Sequence, residues 1–197
     1  STLDPRLPHT HVVMHLASAR GRKANQELRF VDPRTFGEVV VYPTELEAEI
    51  VPEISALGVD PINSTLDPSA MHVALRTKRA PIKAVLLSQR PVSGIGNIYA
   101  DEILHRARLR WNHLSATLST KHLRELHGHI GEVLAEAVAA GGSTLADTQY
   151  VDALGKEGIF QTEHRVYARQ GERCRTCGRG IIKRVMGAGR STHFCPV

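Results

Sequence analysis

No stretch of the sequence approaches the roughly 20 consecutive apolar residues of a membrane-spanning helix, so none is expected. The opening residues, Ser1 to Pro8, are polar and carry Asp4 and Arg6, which is not the pattern of a secretory signal. Cysteine is scarce, and three in 197 residues do not make a secreted disulfide framework. Internal repeats and low-complexity tracts are absent. What remains is close to the globular average: 42% hydrophobic and 23% charged, neither disordered nor fibrous. The length suits one ordinary domain or two small ones. Twenty-five Lys and Arg against twenty Asp and Glu leave a formal charge of +5, which fits a polyanionic partner without requiring one.

Along the chain, the first stretch reads as β structure. His11–Leu16 is a short apolar run, Ser18–Asn25 a small, basic hairpin loop, and Glu27–Val31 and Glu38–Tyr42 are strand-like. Two or three strands without a partner sheet are marginal in water, so the chain is expected to begin inside a β domain. From about Thr44 the pattern turns helical. Asp67-Pro68 predicts a helix start (Asp as N-cap, Pro at the first position) running to about Thr77. Further helices are predicted over Ile82–Ser88, Asn97–Ala107 and Ser119–Ala140, the last ended by Gly141-Gly142. Ser143–Gly158 is a long mixed loop, of the kind that is often functional. Short strands are expected around His164–Ala168 and on either side of the cysteines.

The cysteines carry the first chemical signal. Cys174-Arg175-Thr176-Cys177 is a C-x-x-C, and Cys195 follows after seventeen residues, with Pro196 and Val197 behind it. Zinc ribbons use a C-x-x-C, an interval of roughly 15–20 residues and a second C-x-x-C. The next residue would hold the fourth cysteine's place, so the site is expected to be one residue short. A free thiol pair and a redox C-x-x-C compete with this reading, but the redox motif belongs beside a βαβ pattern that is lacking. His193 is an alternative ligand. A four-ligand site would be structural, folding a hairpin that carries Arg190 on the basic tip Gly187–Thr192, within reach of phosphate or simply of solvent.

Val92–Glu102 is a glycine-broken turn opening a helix. Its glycines permit close approach, and the helix start offers unpaired N–H groups to a phosphate. Asn97 stands there to cap the helix or donate to a phosphate, and a plain capped turn is the competing reading. Lys78, Arg79 and Lys83 lie just upstream and favour phosphate. Arg34 and Phe36 share a turn. This is ordinary loop packing or, in a DNA-binding protein, a wedge for the base stack.

Together these pieces resemble the formamidopyrimidine-DNA glycosylase and endonuclease VIII family over nearly the whole chain. Asp32-Pro-Arg-Thr-Phe-Gly37 is similar to the family's D-P-R-R-F-G loop. Ser93-Gly-Ile-Gly-Asn-Ile-Tyr-Ala-Asp-Glu102 looks like its helix–two-turn–helix signature. Gly141-Gly-Ser-Thr-Leu-Ala-Asp147 resembles the lead into its lesion-capping loop. Gly158–Gln161, Val166-Tyr167 and Gly171–Cys174 lead into the finger as in the family, and Gly189–Cys195 is similar to its R-S-T-F-Y-C strand. Five motifs in the right order are specific, and they favour the formamidopyrimidine branch.

The resemblance implies an α+β fold. A partial β-sandwich (1–43) is followed by a helical helix–two-turn–helix domain (44–160) with a lesion-capping loop (143–158). A zinc-finger β-hairpin (161–197), incomplete at its C-terminus, completes it. It implies excision of 8-oxoguanine and formamidopyrimidine from double-stranded DNA, then β,δ-elimination at the abasic site, with the damaged nucleotide flipped out. His9, Arg34, Lys78, Asn97 and Arg190 would contact DNA. Phe36, with Arg34, would fill the gap left by the flipped base, and Arg190 would serve δ-elimination. Structural Zn2+ would sit on Cys174, Cys177 and Cys195. The protein would be a monomer away from membranes, cytoplasmic and nucleoid-associated in a bacterium.

The family's nucleophilic N-terminal proline, its catalytic Glu, an assisting Lys and an H-L-G-M-S-G strand are not in this sequence. Thr35 replaces an Arg, and Ile159 and His193 replace aromatics. The chain is therefore expected to be a fragment, or inactive by itself. The alternative is a naturally truncated, non-catalytic, zinc-dependent DNA-binding protein.

Overall fold

A computed structural model describes residues 4–17, 23–64, 66–145, 151–152 and 154–197. Two compact units divide the chain after Ile50.

The first unit is built on an antiparallel hairpin of β1 (Thr10–Ala17) and β2 (Lys23–Val31). Val12 pairs with Phe30 and Leu16 with Gln26, and the register slips between Thr10 and Val12. Part of the expected hairpin loop, 18–22, lies outside the described residues. Glu38–Tyr42 does not form a strand. Its β-branched run pairs with no neighbour among the described residues, and Val39, Val40 and Val41 stand exposed. β-propensity expresses a fit to a half-buried pleated surface, and no such surface meets this run. A single helical turn, α1 (Glu47–Ile50), closes the unit.

The second unit opens with another single turn, α2 (Pro52–Ser55). The first long element, α3 (Pro68–Arg76), starts where its cap is written: the Asp67 carboxylate accepts from Ser69 N at 3.0 Å and Ala70 N at 3.2 Å. Then come α4 (Ile82–Leu87), α5 (Asn97–Arg106) and α6 (Thr120–Ala139). Ser119 caps α6, taking a bond from His122 N at 3.2 Å. Leu123, Leu126, Ile130, Val133, Leu134 and Ala137 recur at helical spacing along α6, and all are buried. Gly141 and Gly142 end the helix with positive φ. Their N–H groups return to Val138 O at 3.0 Å and Ala137 O at 2.8 Å, closing a Schellman turn. One apolar core joins α3 to α6 and reaches Phe160.

A second hairpin, β3 (Lys183–Gly187) and β4 (Arg190–Phe194), lies between Cys177 and Cys195. The strands expected around His164–Ala168 are turns instead. The N–H groups of Arg165, Val166 and Tyr167 go to the buried Glu102 carboxylate at 2.8–2.9 Å, which leaves them no ladder to join. A small core of Val166, Cys174 and Ile182 lies beneath this hairpin.

Lys83 and Asp101 fasten the hairpin to the helices. Both side chains are essentially inaccessible, and Lys83 Nζ lies 2.7 Å from Asp101 Oδ1. Nζ also donates to Ser191 O at 3.0 Å and Thr192 Oγ1 at 2.8 Å. Asp101 Oδ2 accepts from His193 N at 2.8 Å. Removing one partner of such a pair strands the other charge, at a cost of about 3–5 kcal/mol. Lys83→Ala should therefore lower the urea midpoint by that equivalent. An unchanged midpoint would mean the pair does not fasten the two parts.

Candidate nucleic-acid interface and metal centre

In the first unit, Asp32 organises the turn that carries Arg34 and Phe36. Its carboxylate accepts from Arg34 N at 3.0 Å and Gly37 N at 2.6 Å. Thr35 takes a positive φ at the bend. Phe36 is 78% exposed, and the Arg34 guanidinium stands 4.9 Å from its ring centroid. A cation–π pair keeps such a ring presentable to solvent. His9, also at positive φ, accepts Asp32 N through its carbonyl at 3.0 Å. His9, Arg34 and Phe36 therefore share one end of this hairpin, and all three are exposed.

In the second unit, the turn Ser93–Gly96 opens α5. Gly94 has a φ of +80°, and a Cβ added at Gly94 or Gly96 would meet open space. Gly96, which has no side chain to cap with, holds the N-cap, so the first N–H groups of α5 remain available to an anion. Asn97 is the first helical residue and not the cap. Its Nδ2 donates to Ser191 O at 3.0 Å, and its Oδ1 is buried without a hydrogen-bond partner among the described residues. Asn97 and the strand of Arg190 are thus brought together. Lys78 and Arg79 are exposed on the link between α3 and α4. Lys83 is not a phosphate ligand in waiting, because it is buried and committed to Asp101 and β4. Burial draws its ammonium below the ordinary lysine range, while Asp101 opposes that shift.

Arg190 is exposed where β4 begins. The turn before it, Ala188 and Gly189, has φ of 52° and 73°, the double positive φ of a tight two-residue hairpin.

The loop expected over 143–158 is described at its ends, while residues 146–150 and 153 lie outside the described residues. Its stem is closed: Ser143 pairs with Ile159, and Gly158 N donates to Thr144 Oγ1 at 2.9 Å. Gly158 is obligatory, since a Cβ there would fall 2.3 Å from Gly142 O. Behind the stem, His164 Nε2 lies 3.0 Å from Ser143 Oγ. Burial lowers the pKa of this imidazole.

The three cysteine sulfurs lie within 4.8 Å of one another. Cys177 and Cys195 Sγ are 3.6 Å apart. A tetrahedral zinc with Zn–S bonds of about 2.3 Å separates its sulfurs by about 3.8 Å, so the cluster fits that ion. Gly180 N donates to Cys177 Sγ at 3.3 Å, and the backbone N–H groups of Gly180 and Arg179 bring this thiol down to about 7, toward the thiolate that ligates metal. Burial pushes Cys195 the other way, up to about 11. His193 points instead to Asp101, with Nδ1 3.4 Å from Oδ2, and is not in the cluster. His105, which the sequence did not single out, has Nε2 2.8 Å from Thr176 Oγ1 and 3.9 Å from Cys174 Sγ. Among the described residues, no helix is long and apolar enough to cross a membrane.

The Gly37 N–H, chiefly, with Arg34 N–H assisting, holds Asp32 below its ordinary 3.8. A carboxylate depressed in the fold supports the turn above 3.8 and loses that role as pH falls through the lowered value. The Gly37 amide resonance should titrate with a midpoint below 3.8, and a midpoint at or above it would remove the carboxylate from this role.

Residues 57–149 match the family model described as the formamidopyrimidine-DNA glycosylase H2TH domain. The formamidopyrimidine-DNA glycosylase of Cytobacillus firmus is 40% identical over 193 residues, covering 98% of this chain and 67% of the relative. The crystal structure of the MutM (Fpg) protein of Thermus thermophilus superposes with a TM-score of 0.86 at 40% identity, covering 98% of this chain and 69% of that one. A Lactococcus lactis Fpg bound to DNA containing an abasic site gives 0.83 at 33% identity, with 98% and 67% covered. The chain thus spans about two thirds of the length of these relatives.

Proposed function

Because the chain belongs to the formamidopyrimidine-DNA glycosylase family, a family of DNA-repair glycosylases, we propose that it is the DNA-gripping part of an enzyme that excises oxidised purines and then cuts the abasic strand. The substrates are 8-oxoguanine and formamidopyrimidine in double-stranded DNA. The observation that carries this reading is the exposed, basic, glycine-turned hairpin of Arg190 bonded to the open N-terminus of α5 through Asn97 and Ser191. Two sources of phosphate-binding groups are joined there: backbone N–H groups and a guanidinium.

In this reading His9, Arg34, Lys78, Asn97 and Arg190 contact the DNA, Asn97 through the helix start it opens. Phe36, backed by Arg34, occupies the space of the flipped nucleotide, and the loop over 143–158 covers the lesion. Zinc on Cys174, Cys177 and Cys195 closes the finger and supplies structural rigidity only. Chemistry begins with attack of an N-terminal proline amine on the sugar C1′. The C1′–N bond breaks and the base leaves with the bonding pair, taking up a proton; the C1′–O4′ bond then opens with a proton going to O4′, and the resulting iminium permits β-elimination and then δ-elimination, the second assisted by Arg190. That proline and its neighbouring Glu are not among the residues of this chain.

The test separates grip from chemistry. The 197-residue chain should bind a duplex carrying a tetrahydrofuran abasic analogue, with affinity falling as salt rises. It should release no 8-oxoguanine and form no borohydride-trapped adduct, whereas the full-length protein should do both. Release by the chain alone would overturn the placement of the nucleophile outside it. Binding by a full-length protein that cannot release the base would favour a non-catalytic DNA-binding protein. Arg190→Ala should weaken binding of the chain and impair δ-elimination in the full-length enzyme, and leaving both unchanged would refute its assignment.

A further inference from the structure

Trp111 is the only tryptophan of the chain, and no motif includes it. It follows α5 on the segment leading away from the helix, half-buried against the main core. Its carbonyl accepts Lys83 N at 3.1 Å, which fixes its backbone to the start of α4. Its six-membered ring abuts the backbone of Gly187. A Cβ built on Gly187 would fall 2.7 Å from Cζ3, 2.8 Å from Cη2 and 2.9 Å from Cε3 of that ring. Gly187 is the residue paired with Arg190 across the hairpin.

On the other strand the grip begins one residue later. Ser191 O accepts from Lys83 Nζ and Asn97 Nδ2, both at 3.0 Å, and Thr192 Oγ1 accepts from Lys83 Nζ at 2.8 Å. Arg190 therefore sits at the end of a strand clamped from Ser191 onward, opposite a glycine that takes Thr192 Oγ1 on its carbonyl at 3.3 Å and packs against the indole. A short two-stranded hairpin has little stiffness of its own. Thr192 Oγ1 holds the Gly187 carbonyl, and the ring packs where a Gly187 Cβ would point.

We propose that Trp111 is a positioning residue that sets where Arg190 meets the DNA backbone, acting through Gly187. This rests on the reading that Arg190 contacts a phosphate. A tip not held in place does not bring the guanidinium to the phosphate, and that contact, with its released counterion, is lost. The indole never touches DNA, and its effect passes entirely through Arg190.

The experiment measures binding of the chain to a fluorescein-labelled duplex with a tetrahydrofuran site, by anisotropy, between 50 and 200 mM KCl. The variants are Arg190→Ala, Trp111→Ala, Trp111→Phe and the double Trp111→Ala/Arg190→Ala. Losing one phosphate contact lowers the slope of log K against log salt by about 0.9. Arg190→Ala and Trp111→Ala should both show that loss, the double variant should bind no worse than Arg190→Ala, and Trp111→Phe should restore the parent slope. A merely structural tryptophan would lower thermal stability and leave the slope alone. A parent slope in Trp111→Ala, or additive losses in the double variant, overturns the proposal while the reading of Arg190 stands. A parent slope in Arg190→Ala overturns that reading and the positioning role with it. If Trp111→Ala does not fold, Gly187→Ala, which drives a methyl into the ring, is compared in the same way.

Discussion

The buried contact between Lys83 and Asp101 holds together parts of the second unit that sequence alone keeps apart. An ammonium and a carboxylate withdrawn from water are tolerable only when each also finds hydrogen bonds. Lys83 finds Ser191 O and Thr192 Oγ1, and Asp101 finds the N–H of His193. Every one of these partners is on β4. The charge pair therefore cannot be satisfied unless the hairpin is seated on α4 and α5, and the hairpin cannot be seated in a different register without stranding a charge. A sheet of two five-residue strands gains from its neighbours the register it could not enforce alone.

Glu102, the next residue along α5, does the same for the segment before the finger. Its two oxygens take three consecutive backbone N–H groups, so the chain entering the cysteine site is shaped by a helix side chain where a strand partner would otherwise be needed. Rings then continue the connection. Phe160, His164, Tyr167 and His193 follow one another with centroid spacings of 5.8, 5.7 and 4.7 Å. This series runs from the stem of the 143–158 loop to β4. The cysteines close one end of the finger, where His105 of α5 also reaches Thr176, and β4 is held by α4 and α5. A metal ion at the cysteines would fix the fold of the finger, while Lys83, Asp101 and Asn97 fix its placement on the helices.

The helices were legible because their signals are local. Asp67-Pro68, Ser119 and Gly141-Gly142 each act within one turn of the residue that carries them, and each is found doing so. The C-x-x-C and the distant Cys195 were legible because ligand spacing is covalent bookkeeping, and their sulfurs converge. The strand-like runs at 38–42 and 164–168 misled because pairing is decided by residues far away in sequence. Val39–Val41 meet no ladder among the described residues, and the N–H groups of 165–167 were claimed by Glu102 from 63 to 65 positions earlier. Lys83 counts in the sequence among the cations that favour phosphate for the same reason. Nothing within a turn of it in sequence reveals that Asp101 and Thr192 will enclose it. Trp111 gave no signal at all, since its partner is a glycine 76 positions on, and a glycine's tolerance of a close neighbour is invisible until the neighbour is seen.

The three departures from the family pattern fall into two physical kinds. Thr35 and Ile159 are exposed, Ile159 by 64%, so each changes what a loop presents to solvent and leaves the packing beneath untouched. His193 is buried, and a polar ring placed where an aromatic one belongs must find partners for its nitrogens or cost stability. It keeps the aromatic function by stacking edgewise on Tyr167 at 4.7 Å. Its Nδ1 finds Asp101 Oδ2 at 3.4 Å, the same oxygen that already receives its backbone N–H. The substitution is therefore absorbed by the carboxylate that answers Lys83. Asp101 can serve both because its two oxygens face different neighbours: Oδ1 toward the ammonium, Oδ2 toward the strand.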